Sequence, residues 1–65
     1  MMNKAQYRSL VNGMFNDLNL QLKYKIVQES GLDEIKNFEE YTTQKQDILI
    51  SFLIRKKLIR TRKEL

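Results

Sequence analysis

The stretch Leu18-Asn19-Leu20-Gln21-Leu22-Lys23-Tyr24-Lys25-Ile26 decides the fold. Its apolar residues, Leu18, Leu20, Leu22, Tyr24 and Ile26, are separated one by one by Asn19, Gln21, Lys23 and Lys25. Strict alternation is the period of an extended chain, and Tyr24, Ile26 and Val27 favour that state. The pattern predicts a strand over 20 to 27 with one apolar face and one polar, basic face. A lone strand cannot satisfy its own N–H and C=O groups, and nothing else in the chain alternates well enough to pair with it. The expected partner is the same strand of a second copy, antiparallel across a two-fold axis.

On the N-terminal side the period changes. Tyr7, Leu10, Val11, Met14, Phe15 and Leu18 follow helical spacing, with Lys4, Arg8, Asn12 and Asp17 off the stripe. They predict an amphipathic helix over residues 3 to 17. Asn12-Gly13 is a hairpin signal in other settings, but its flanks do not alternate.

On the C-terminal side, Leu32, Ile35 and Phe38 predict a short helix, with Ser30 as its N-cap and Asp33 and Glu34 in its first turn. Thr42-Thr43 interrupts it and offers a fresh cap, Thr43 with Gln46 forming a capping box. In the segment that follows, Ile48, Leu49, Ile50, Phe52, Leu53, Ile54, Leu58 and Ile59 cover most of a helix circumference. A helix so apolar calls for burial on several sides, which agrees with a second subunit.

A 65-residue chain holds one domain and buries roughly 60% of its unfolded surface, a marginal core. With no Cys a disulfide staple is excluded, and with no His either a zinc staple is not expected, which again points to self-association. The run Ile48–Ile54 is too short to span a bilayer and the N-terminus has no signal-peptide core, so the expectation is a cytoplasmic protein without a membrane partner. Charge is segregated. Glu29 to Asp47 holds six acids and two lysines, whereas Arg55, Lys56, Lys57, Arg60, Arg62 and Lys63 crowd the end, with Glu64 alone against them. Such an end suits a polyanion, and cations there also complement a helix dipole.

The order of strand, turn, short helix, hydroxyl-bearing break and very apolar helix over residues 20 to 59 resembles the ribbon-helix-helix family of small dimeric DNA-binding repressors. The resemblance implies a mainly α homodimer whose paired strands enter the major groove of double-stranded DNA. It divides the domain into an N-terminal helical extension (1–19), a core (20–59) and a basic tail (60–65). It implies base readout by Gln21, Lys23 and Lys25 and phosphate contacts by Thr42, Thr43, Gln44 and Lys45 at a helix N-terminus. The implied function is that of a sequence-specific transcriptional repressor. The glycine usual between that family's two helices is lacking here, and the N-terminal helix is an addition that suits a cover for the dimer, a contact with flanking DNA through Lys4 and Arg8, or a protein-binding surface.

Without His, Cys or a glycine-rich phosphate loop, no enzyme, cofactor or metal site is expected. Asp33, Glu34, Glu39 and Glu40 read as a solvated face, and Phe38 and Tyr41 as core. The alternative is an all-α three-helix bundle in which 18–27 is helical. That version is a protein-interaction module presenting the Tyr7–Leu18 stripe. Peripheral membrane attachment through residues 58–65 ranks last.

Overall fold

The computed structural model describes residues 1–64 and places helices at α1 (Lys4–Asp17), α2 (Leu20–Glu29) and α3 (Thr43–Arg55). Short 3-10 turns lie at Phe38–Glu40 and Arg62–Glu64. No strand occurs among the described residues. The all-α alternative fits the architecture, and the ribbon does not form.

α1 begins where its sequence predicts. The Asn3 side chain accepts from Gln6 N at 2.8 Å while the Gln6 side chain accepts from Asn3 N at 3.2 Å, a reciprocal capping box. Tyr7, Val11 and Phe15 bury the stripe. Leu10, on its flank, stays exposed.

The predicted strand over 20–27 is corrected to helix α2. Asn19 explains the start: its side chain accepts from Leu22 N at 2.8 Å, capping a new helix two residues after α1 ends. Alternate residues on a helix stand about 200° apart, so each regroups with its i+4 neighbour. Leu22 and Ile26 turn toward the core, while Leu20 and Tyr24 turn outward and remain 67% and 58% exposed. A helix also satisfies its backbone within itself, which a single strand cannot do. Leu, Gln, Lys and Glu carry little helix penalty in the rest of the segment.

The predicted helix through Leu32, Ile35 and Phe38 is corrected as well. Ser30 closes α2 instead of opening another helix, and Gly31 takes φ +79° with its N–H on Gln28 O (3.2 Å) and the Leu32 N–H on Val27 O (3.1 Å). That pair of bonds is a Schellman motif, which glycine favours because it has no Cβ. Residues 31–37 then carry neither helix nor strand. Side chains from elsewhere hold them: the Tyr41 hydroxyl donates to Glu34 O (2.5 Å) and accepts from Lys36 N (3.0 Å), and Asn16 Oδ1 accepts from Phe38 N (2.8 Å).

α3 is capped by Thr42, whose hydroxyl accepts from Lys45 N at 3.3 Å, so the predicted Thr43–Gln46 box does not form. Gln46 donates instead to Phe38 O (3.0 Å) and Tyr41 O (3.1 Å) and accepts from the Arg8 guanidinium (2.8 Å), joining α1, the 3-10 turn and α3. The core comprises Tyr7, Val11, Phe15, Ile26, Val27, Phe38, Tyr41, Leu49 and Leu53, with no buried polar or charged residue among those described. The Phe15 ring lies 5.9 Å from that of Phe38 and 6.5 Å from that of Tyr41, the latter nearly perpendicular, both favourable aromatic separations. Of the apolar α3 residues this one chain fully buries Leu49 and Leu53 and leaves Ile48, Ile50, Phe52 and Ile54 half-buried.

Candidate nucleic-acid interface

The three residues expected to read bases do not form one row. Gln21 and Lys25, four apart on α2, share an exposed face. Lys23 turns the other way, half-buried, with its ammonium 5.9 Å from the Phe15 ring centroid. Alternation that aligns all three on a strand separates them on a helix.

The four residues expected to hold phosphate surround the start of α3. The Thr42 hydroxyl is occupied by its capping bond. Thr43, Gln44 and Lys45 are exposed, but Lys45 borders a small hollow that Asp33, Glu34 and Tyr41 also line. Arg8, which the sequence offers as a flanking DNA contact, is engaged by Gln46 and by Asp47 at 2.9 Å. Nearby carboxylates oppose an anion here, so the favourable end of the α3 dipole lies in an acidic setting.

Cations outnumber acids at the far end of α3, where Glu64 is the one acidic side chain of the tail. Arg55 closes the last turn, with its guanidinium 5.0 Å from the Phe52 ring. Lys56 turns inward and pairs with Glu29 at 2.6 Å, and this hydrogen bond holds the Glu29 carboxyl below its ordinary range. Lys57 then adopts φ +61°, with its N–H on Ile54 O (2.9 Å) and the Leu58 N–H on Leu53 O (2.9 Å), a second Schellman motif. Beyond it the chain is pinned by the Tyr7 hydroxyl, which donates to Arg60 O at 2.5 Å. Burial, and after it the nearby Glu64 carboxylate, push the Tyr7 phenol above its ordinary value.

Ile54, Lys57, Ile59, Arg60 and Glu64 line a cleft of about 480 Å³ at this end. Glu64 is tied back, accepting from the Thr61 hydroxyl at 2.8 Å. Arg62 donates to Met2 O at 3.3 Å. Arg55, Lys57, Arg60 and Lys63 are exposed and form no ion pair among the described residues. The basic tail is legible in sequence, but its division into engaged and unengaged cations needs the tertiary positions of Glu29 and Met2.

A second feature has no sequence signal under the strand reading. Tyr24, Val27, Leu32 and Ile35 line a groove of about 450 Å³ with Gln28, Asp33 and Glu34 at its edge. Asp33, Glu34, Glu39 and Glu40 are exposed, and no group of three or more His, Cys, Asp or Glu among the described residues is placed to hold a metal ion. No described helix is long and apolar enough to cross a membrane. No known protein family, curated protein or solved structure matches the chain.

Proposed function

We propose that this chain is a non-catalytic binding module that engages nucleic acid through the basic end of α3. The single observation that supports it is the separation of charge: Arg55, Lys57, Arg60 and Lys63 stand exposed and unpaired among the described residues, while six of the eight acids lie from Glu29 to Asp47 and Glu64 is the one acidic side chain of the basic end. A field of one sign over a short span attracts phosphate and releases its counterions. With no ribbon, the reading carries backbone contact and not the base readout of a repressor.

Binding of a fluorescent duplex, followed by anisotropy across a salt series, tests this. Four phosphate contacts give a log–log slope of about −3.6. Absence of binding at low salt, or a slope near zero, contradicts the proposal.

A second reading, a protein-interaction module, is favoured by one feature. Leu20 and Tyr24 are exposed apolar residues on α2, and Tyr24 also lines the groove with Leu32 and Ile35. Its sign is a protein partner whose binding is lost in Tyr24→Ala and kept in a variant lacking the basic end. In this version the surface is α2 and not the Tyr7–Leu18 stripe, which is largely consumed by the core.

A further inference from the structure

The turn after α3 needs a left-handed residue but not a lysine. Lys57 sits at φ +61°, in a region that penalises every residue bearing a Cβ. At the equivalent position after α2 stands Gly31, at φ +79°. The hydrogen bonds of the two turns match, so a glycine at 57 would serve the fold with less strain. A cation near the end of α3 complements the helix dipole, but Arg55 in the last turn and Lys56 at the cap already supply that. A conformation kept against its cost is an observation that leads toward function.

The strained residue lines the cleft described above. Lys57 and Arg60 are its basic lining residues, and Ile54 and Ile59 its apolar ones. The geometry points to this cleft as the seat of one backbone phosphate of duplex DNA, an assignment that rests on the nucleic-acid reading above. The two cations donate to the non-bridging oxygens. The apolar walls suit the sugar beside that phosphate. Among the described residues Glu64 is the one opposing group in the cleft, and its bond to the Thr61 hydroxyl restrains it there.

The test uses the full chain with a labelled 12-base-pair duplex, in the wild type and in Lys57→Gly, Lys57→Arg, Glu64→Gln and Lys36→Ala. Lys57→Gly relieves the backbone, so its Tm rises by about 4 °C, while its duplex affinity falls about fivefold and its salt slope flattens by about 0.9. Lys57→Arg keeps wild-type binding, and Glu64→Gln binds more tightly. Lys36, in the segment between α2 and α3 and outside the cleft, serves as the charge control. Wild-type binding that Lys57→Gly leaves intact, or that Lys36→Ala weakens equally, overturns the cleft assignment alone. So does a Lys57→Gly that is less stable than wild type, because the strain is then absent. A wild type that ignores the duplex overturns the nucleic-acid reading beneath it. If it then binds vesicles of phosphatidylserine and phosphatidylcholine, or inorganic phosphate, the cleft belongs to a different ligand and the DNA assignment fails.

Discussion

The ends of α2 and α3 are built alike and charged oppositely. Each closes in a Schellman motif, through Gly31 and Leu32 in one case and Lys57 and Leu58 in the other. Three residues past each left-handed position a backbone carbonyl, of Glu34 or of Arg60, accepts a tyrosine hydroxyl at 2.5 Å, from Tyr41 and Tyr7 respectively. The first turn leads into Asp33 and Glu34, and the second into Arg60, Arg62 and Lys63. Two turns with the same backbone needs differ in the residue that meets them. The fold accounts for glycine at 31 and leaves lysine at 57 to be explained by its side chain.

The largest effect separates the two latches. Tyr41 makes two backbone hydrogen bonds and Tyr7 one. Tyr41→Phe leaves Lys36 N and Glu34 O without that partner and is expected to cost about 2 kcal/mol in urea unfolding, against about 1 kcal/mol for Tyr7→Phe. Equal costs would mean that the irregular segment 31–37 does not depend on its latch.

Next in size is Gly31→Ala. A Cβ at Gly31 meets nothing within 4 Å, so the cost is backbone strain alone, about 1 kcal/mol. That value measures what Lys57 carries at its own turn. A cost near zero would remove the contrast between the turns.

The smallest effect is on pH. Burial raises both phenols above 10.0, the Tyr7 shift being increased by Glu64. Folded-state values above the unfolded ones mean that the native chain holds these protons more tightly. Their stabilisation is complete below pH 10 and is lost as pH rises through the folded values. Tm should therefore fall above pH 10, and less steeply in either Tyr→Phe variant than in wild type.

Helix α1 is legible from its stripe and the body of α3 from its apolar density, because those residues make the same demand locally and globally. α2 is misread because one alternating pattern satisfies two geometries. The outward stripe of Leu20 and Tyr24 breaks the rule that apolar residues mark one buried face, and Asn19, which caps the helix, looks like one more polar member of the alternation. Gly31 is visible as a turn. Lys57 is not, since no residue type announces a left-handed lysine. The candidate base contacts separate for the same reason as the strand: Gln21, Lys23 and Lys25 are neighbours on one face only if the chain is extended. What persists is the basic end, which depends on composition and not on register.

Backbone amide shifts during titration with duplex DNA compare the two turns in a single experiment. Changes confined to Arg55 through Lys63, with Gly31 to Ile35 unmoved, are the predicted result. Changes centred on Gly31 to Ile35 and Tyr24, or none at either turn, would contradict the assignment of the basic end to nucleic acid.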